Sequence, residues 1–190
     1  MNSQNLIFVL IFTCLILVSA GFTQYENAGS IVLVNGAVVS LKSSATQEKL
    51  SGFALGVGLE QATSGGNWAG GVSFTYLGAD DSSDPNDINV NYQTFPIMLF
   101  GKYLIGPEKY KAYLTGEIGL HFSRREISGT NVYNSSRESG SALGLGLGGY
   151  AFIDEKLLLN LGYKFMYMNN SYYLDGFVHT LSLGIGFQSL

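Results

Sequence analysis

Residues 157–167 read LLLNLGYKFMY, and the expected fold follows from this stretch. Asn160, Gly162 and Lys164 alternate with large apolar or aromatic residues. A period of two is typical of a β-strand whose two faces meet different surroundings. The apolar face consists of the odd-numbered positions, which are Leu157, Leu159, Leu161, Tyr163, Phe165 and Tyr167.

The same alternation recurs along the chain and predicts seven further strands. Residues 31–41 and 92–104 are less regular. The sequence of the first segment does not show which of its alternate residues face the apolar side, and the second segment contains Pro96. No segment after residue 20 has the pattern of a helix. The regular segments are residues 53–60, 68–76, 110–123, 142–148 and 177–187.

The connections between these strands alternate in length. Short turns at one end and long polar loops at the other are the layout of an outer-membrane barrel, in which an even strand number leaves both termini periplasmic. The connections at 78–89 and 124–140 predict mobile loops that tolerate insertions near Asp84 and Ser135. The short turns are 63–67, 106–109 and 154–155, and the other long loops are 43–51 and 168–176.

Composition indicates which face of the barrel is outside. Only 13% of the residues are charged, whereas a soluble domain carries about 25%. The less apolar face is mostly Gly, Ala, Ser and Thr, which suit the narrow interior of an eight-stranded barrel. Because lipid cannot hydrogen-bond the backbone, a closed sheet with its apolar face outward is expected. The predicted fold class is all-β: a transmembrane, eight-stranded, antiparallel up-and-down β-barrel, preceded by a cleavable signal peptide.

The first 20 residues have the features of an export signal. Leu6 to Val18 is an apolar run shorter than a membrane-spanning helix requires, and small residues precede a cleavage site after Ala20. An uncleaved anchor is the alternative. We therefore divide the chain into a signal peptide at 1–20, a periplasmic tail at 21–29 and an outer-membrane barrel at 30–190.

Residue counts exclude several kinds of chemistry. The only cysteine, Cys14, lies in the signal, so disulfides, thiol nucleophiles and thiolate metal sites are not expected in the mature chain. The net charge of −4 and the scattered basic residues exclude nucleic acid as a partner.

Aromatic residues cluster near the predicted strand ends. Amphipathic rings are enriched where a membrane meets water, so two aromatic girdles are expected. Ordinary core aromatics would not cluster at strand ends. The periplasmic girdle comprises Trp68, Tyr103, Tyr110 and Phe187, and the outer girdle comprises Tyr76, Tyr92, Phe122, Tyr167 and Phe177.

Two stretches carry a resemblance to a known family. With the eight strands, residues 92–103 (YQTFPIMLFGKY) and 183–187 (LGIGF) resemble the small OmpA/OmpX-type outer-membrane β-barrel domains. The resemblance covers the whole mature chain. It implies a structural or surface barrel that is assembled by the barrel-assembly machinery and surrounded by outer-membrane lipid and lipopolysaccharide, and it names no ligand.

Four charged residues are predicted to point into the lumen: Glu60, Lys102, Glu117 and Lys164. Because an unpaired buried charge costs several kcal/mol, we expect mutual pairing. Glycines at 144, 146 and 148 leave space on the intervening strand for Glu117 to meet Lys164. The alternative is that each charge is solvated at a wet mouth of the barrel.

Three motifs are candidates for chemical sites. Residues 144–149 (GLGLGG) have dinucleotide-binding spacing but precede a turn instead of a helix. His121 and Ser123 resemble the His-x-Ser of lipid A deacylases, with Glu117 or Glu126 as an orienting carboxylate, but their parity places them in the lumen. A loop containing Asp80, Asp81, Asp84 and Asp87 lacks calcium-loop spacing. We expect no catalytic residue, no metal and no cofactor.

The sequence therefore favours a monomeric, non-enzymatic protein of a Gram-negative outer membrane. Its expected role is structural or adhesive, through four extracellular loops that meet an extracellular or envelope partner not identified by the sequence. A narrow pore for small solutes is the alternative. The interior of an eight-stranded barrel is just wide enough for side chains to fill it, which counts against a general porin. A lipid A-modifying enzyme is the third possibility.

Overall fold

The computed structural model describes residues 29–44, 47, 49–63, 67–81, 89–129 and 132–189, without the side chains of Asp81, Val132 and Leu174. The signal peptide, most of the tail at 21–29, Asp84 and Asp87 lie outside these residues. The described part consists of eight strands: β1 (Ser30–Ser43), β2 (Lys49–Ala62), β3 (Trp68–Asp81), β4 (Asn89–Ile105), β5 (Tyr110–Gly129), β6 (Val132–Phe152), β7 (Leu157–Met168) and β8 (Tyr173–Ser189).

The strands form one closed antiparallel barrel in which each strand pairs with its neighbours in sequence and β1 pairs with β8. The register of the barrel can be measured by following directly paired residues around it in both directions from Val39 of β1. The path through β2–β5 ends at Ser136 of β6, and the path through β8 and β7 ends at Gly146 of the same strand. The two positions are ten residues apart, so the barrel is sheared by ten residues. Shear of this size tilts the strands by about 40° from the barrel axis.

Side chains alternate between the lumen and the outside, which confirms the predicted all-β barrel. On β7, Leu158, Asn160 and Met166 are buried, whereas Leu159 and Leu161 are exposed. The same holds on β6, where Leu145 is 67% exposed. Large apolar side chains therefore cover the outer surface, whereas the inward side chains are a mixture of small, polar and apolar residues.

Two apolar clusters fill the lumen above and below its polar middle. The cluster nearer the chain termini contains Ile31, Leu33, Tyr113, Tyr150 and Leu158. The cluster nearer the opposite end, here called the loop end, contains Val39, Leu77, Tyr92, Met98, Tyr173 and other buried residues. Packed side chains therefore occupy the lumen on both sides of its polar middle.

The structure corrects the placement of Tyr92. This residue was expected in the outer aromatic girdle, but its ring is buried in the lumen, 6.0 Å from the ring of Tyr173, and its hydroxyl lies 2.7 Å from Ser43 Oγ. The even-numbered residues of β4 face inward, and Phe95 takes the outward position beside Tyr76 at 5.0 Å. Apolar side chains fill the loop end of the lumen, so hydrophobicity does not separate the two faces there.

The structure also corrects several loop bounds. Residues 124–129 and 132–140 are not a loop, because β5 and β6 continue as paired strands to Gly129 and Val132. Ser135 therefore lies within a strand. The connections after Ser43 and Met168 are also shorter than expected, since β2 begins at Lys49 and β8 at Tyr173. Within the described ranges, no helix is long and apolar enough to cross a membrane.

Candidate functional site

The first feature of the lumen is a buried ion pair near its terminal end. Lys102 Nζ on β4 lies 2.5 Å from Glu60 Oε2 on β2, and the two side chains are 7% and 1% exposed. The Tyr150 hydroxyl donates to the same carboxylate oxygen at 2.7 Å and also contacts Lys102 Nζ. A buried charge requires such partners, because removing one would leave the other uncompensated.

Aromatic rings surround the Lys102 ammonium group. Its Nζ lies 4.8 Å from the ring centres of Phe100 and Tyr113, and 5.0 Å from that of Tyr150. A cation over the face of a ring is attracted by the ring quadrupole, most strongly when both are desolvated. Lys102 is thus held by one carboxylate and three rings.

A second ion pair joins β5 and β7 across β6. Lys164 Nζ lies 2.8 Å from Glu117 Oε2. Gly144 and Gly146 face the lumen between the two strands, and a Cβ at Gly144 would lie only 3.2 Å from Glu117 Cβ. The glycines thus let the two side chains meet over the intervening strand. The structure therefore brings Glu117 to Lys164 and Glu60 to Lys102.

Glycines also make room for Tyr113. A Cβ at Gly148 would lie 2.5 Å from the Tyr113 hydroxyl and 2.4 Å from the Leu161 carbonyl oxygen, so a larger residue overlaps both. In this position the Tyr113 hydroxyl donates to Asn160 Oδ1 at 2.9 Å, and Asn160 Nδ2 donates to Asn35 Oδ1 at 2.9 Å. The polar layer therefore extends across β5, β7 and β1.

These residues surround a cavity of about 90 Å³ in the middle of the lumen, which both ion pairs line. Glu60 Oε1, Ser73 Oγ and Thr115 Oγ1 are buried and have no hydrogen-bond partner among the described protein atoms. All three residues line the same cavity. A cavity of this size has room for several water molecules, which would bridge the polar groups in its wall.

His121 and Ser123 lie in the lumen near the loop end, as their parity indicated. His121 Nδ1 is 3.0 Å from Ser123 Oγ, and His121 Nε2 is 3.1 Å from the Asn169 carbonyl oxygen. Neither candidate carboxylate orients the imidazole, because Glu117 pairs with Lys164 and Glu126 pairs with Arg124. Both His121 and Ser123 are buried in the lumen, whereas a catalytic pair must be reached by its substrate.

The structure describes only part of the aspartate motif. Asp80 is contacted by the side-chain amide of Asn91, whereas the other three aspartates of that motif have no described side chain. Among the described residues, no group of three or more histidines, cysteines or acidic residues is placed to hold a metal ion.

Outward aromatic side chains lie at both ends of the apolar surface. Near the terminal end, the rings of Trp68 and Tyr103 are 4.8 Å apart. Nearer the loop end, Tyr76 lies 5.6 Å from Phe53, and Phe177 lies 5.4 Å from Tyr167. Tyr110 and Phe187 are exposed, and Phe122 lies opposite the outward Phe95.

The loop end carries one further feature, a strand edge on β6. Pairing of β6 with β7 ends at Ala142 and Met168, whereas its pairing with β5 continues to Val132. Within the part of the chain that the structure describes, no strand pairs with the other side of residues 133–140. Because the Ser141 carbonyl accepts the Asn169 N–H at 3.0 Å, odd-numbered backbone groups of β6 face this open side.

Reasoning from the sequence missed Tyr113, Tyr150 and the β6 edge. The two tyrosines share the parity of Glu117 and of the β6 glycines, so the same alternation would have placed them in the lumen. The edge is not evident from the sequence, because Arg124–Gly140 has polar residues on its outer side and therefore resembles a loop.

Solved structures show the same fold at low sequence identity. Neisserial surface protein A has a TM-score of 0.64 and 16% identity over 85% of this chain and 99% of its own. Ail, the attachment invasion locus protein of Yersinia pestis, has a TM-score of 0.55 and 18% identity over 86% and 99%. A major outer membrane protein of Thermus thermophilus has a TM-score of 0.64 and 10% identity over 84% and 99%.

No curated protein sequence matches the chain significantly. The expected resemblance to small OmpA/OmpX-type barrel domains is confirmed by the shared fold and by a family model. That model, the outer membrane protein beta-barrel domain, matches residues 10–188, and the chain therefore belongs to this family.

Proposed function

We propose that the mature chain spans the outer membrane of a Gram-negative bacterium as a non-enzymatic surface-interaction protein. Support comes from the length of the outward apolar face. On β5 this face runs from Tyr110 to Phe122, about 40 Å along the strand and about 30 Å along the barrel axis at a tilt of about 40°. This length matches the hydrocarbon thickness of a bilayer.

In this proposal residues 1–20 are removed on export, and both termini and the short turns face the periplasm. The aromatic residues at the two ends of the apolar face form the girdles. The surroundings are outer-membrane lipid and lipopolysaccharide, and the barrel-assembly machinery inserts the chain. The side chains in the lumen argue against a pore, because two ion pairs and two apolar clusters occupy much of it.

The interaction role rests on one observation, the open edge of β6. From Phe122 to Gly129, β5 continues for seven residues, which carries the β5–β6 hairpin about 15–20 Å beyond the girdle. An open edge offers unpaired N–H and C=O groups to an extended segment of another protein. Tyr133, near the tip, is 71% exposed and supplies an aromatic contact of the kind favoured at binding surfaces.

The solved relatives are consistent with this role. Ail is named as an attachment protein, and its fold is shared by this chain. The proposed partner is accordingly a protein outside the cell that offers an extended strand.

The test is adhesion of cells that produce the protein to immobilised extracellular-matrix proteins. Ser139→Pro removes a backbone N–H that faces the open side of β6 and leaves the pairing with β5 intact. We expect this variant to reach the surface in normal amounts but to lose at least tenfold in adhesion. Ser139→Ala is the matched control and should adhere like the parent protein.

Ser136→Pro removes an N–H that faces β5, so it should disturb the hairpin itself. Equal adhesion by the parent, Ser139→Pro and cells lacking the protein would contradict the interaction role. Steady conductance of the purified protein in planar bilayers would favour the pore instead.

A further inference from the structure

A row of hydrogen-bond donors lies on the outer face of the barrel at the loop end. Gln93, Arg124 and Arg137 are direct cross-strand neighbours on β4, β5 and β6. Their side chains point outward, because the adjacent Thr94 and Ser123 are buried in the lumen. We call these three residues the donor row.

The donor row is placed immediately beyond the apolar face. Phe95 and Phe122, which face each other on β4 and β5, each lie two residues from a member of the row, Gln93 and Arg124 respectively. Two residues of a strand span about 7 Å, or about 5 Å along the axis of a barrel tilted by about 40°. With the membrane placed as proposed above, the donor row lies at the level of the lipid headgroups.

The two arginines are not fully neutralised by the protein. They occupy directly opposed positions, where like charges destabilise a sheet. Arg124 contacts Glu126 through Nη2 and donates from Nε to Ser135 Oγ at 3.3 Å. Arg137 is exposed and has neither an ion pair nor a side-chain hydrogen bond within the described ranges. An anion lying between the two guanidinium groups would offset their repulsion.

We propose that the donor row binds a phosphate group of a phosphorylated glycolipid, of the lipid A type, in the outer leaflet. Guanidinium groups match phosphate oxygens with paired hydrogen bonds, and the Gln93 amide adds a further donor. The apolar face below the row provides a surface for the acyl chains of the same lipid. This inference rests on the proposed membrane placement.

The test compares two lipids that differ only in phosphate. The folded protein in detergent is titrated with bis-phosphorylated lipid A and with lipid A from which both phosphates have been removed, and the bound lipid is counted by native mass spectrometry. We expect the phosphorylated lipid to bind at least tenfold more tightly. Arg124→Gln and Arg137→Gln should each lose about tenfold of that affinity, as expected for a charge-assisted hydrogen bond at a partly exposed site.

Lys109→Gln is the matched control, because it removes the same charge at the terminal end, where Lys109 is exposed beside Tyr110. It should leave the preference unchanged. Arg137→Lys keeps the charge but loses the paired donors of the planar guanidinium group. Its affinity for the phosphorylated lipid should lie between those of the parent protein and Arg137→Gln. The heat-modifiable gel shift shows that each variant is folded.

Three results would overturn the inference. The first is equal binding of the two lipids, and the second is an unchanged preference in the variant that combines Arg124→Gln with Arg137→Gln. The third is displacement of the lipid by millimolar inorganic phosphate, which would indicate a site for the free anion. Flotation of reconstituted vesicles tests the membrane placement separately. A protein that floats but shows no phosphate preference contradicts the donor row alone, whereas a protein that does not float contradicts the proposed function as well.

Discussion

Lys164 on β7 and Glu117 on β5 meet at 2.8 Å across strand β6, which separates their own strands. The contact is possible because β6 has glycine at the intervening lumenal positions 144 and 146. The Glu117 side chain is 3% exposed and that of Lys164 is 26% exposed. The carboxylate therefore depends on Lys164, whereas the ammonium group retains some access to water.

This asymmetry predicts the effect of breaking the pair. Lys164→Met should lower the free energy of unfolding by about 3 kcal/mol, because it leaves a buried carboxylate without its partner. Adding Glu117→Gln should restore part of the loss. Urea unfolding in detergent, followed by the heat-modifiable gel shift, measures all three proteins. Lys156→Met, at an exposed turn, is the control and should be neutral. Strictly additive losses would show that Lys164 and Glu117 do not interact.

The lumenal glycines predict a second contrast. Gly148→Ala would place a methyl group 2.5 Å from the Tyr113 hydroxyl and 2.4 Å from the Leu161 carbonyl oxygen. Such overpacking should cost about 1–3 kcal/mol in the free energy of unfolding.

Gly116→Ala is the matched control on the outer face, where a Cβ meets no atom within 4 Å. It should be neutral or stabilising by up to about 1 kcal/mol, because alanine restricts the unfolded chain. Equal losses at Gly148 and Gly116 would mean that the lumen is not packed as described.

The parts of the chain inside the proposed membrane span were predictable from the sequence, and the parts beyond it were not. The middle of β7 alternates cleanly, because its outer face meets an apolar surrounding and its inner positions Asn160, Gly162 and Lys164 are small or polar. Beyond Phe122 the contrast reverses: the outer face carries Arg124 and Glu126, whereas Ile127 packs toward the lumenal cluster. An alternation between two mixed faces resembles a polar loop, and the β5–β6 hairpin was missed for this reason.

The error at Tyr92 has the same physical origin. Residues on both faces of β4 near the loop end are mixed, with Asn91 and Gln93 outward and Tyr92 and Thr94 inward. A tyrosine at a strand end fits a girdle as well as a lumenal cluster when only its sequence position is known. The inward direction of the Tyr92 side chain follows only from the register of β4 with β3 and β5.

The buried position of His121 and Ser123 predicts the absence of lipid A modification. Lipid A from cells with and without the protein should give the same mass spectrum. Lipid A from cells that produce the Ser123→Ala variant should give that spectrum as well. His121→Leu should instead lower the free energy of unfolding by about 1–3 kcal/mol, since it leaves Ser123 Oγ and the Asn169 carbonyl with fewer partners. Loss of an acyl chain from lipid A that depends on Ser123 would contradict this structural role.

The position of the loop end predicts where the chain accepts insertions. An epitope tag after Asp84, in the connection between β3 and β4, interrupts none of the described strand pairs. A tag after Ser135 interrupts the paired β5–β6 hairpin, in which Ser135 lies opposite Glu126. We expect the first tag to be detected on intact cells with a normal gel shift, and the second to reduce the amount of folded protein several-fold because ladder hydrogen bonds are lost.

A tag after Glu155, in the turn between β6 and β7, is the topological control and should be detected only after lysis. Detection of the Glu155 tag, but not of the Asp84 tag, on intact cells would reverse the proposed orientation of the barrel.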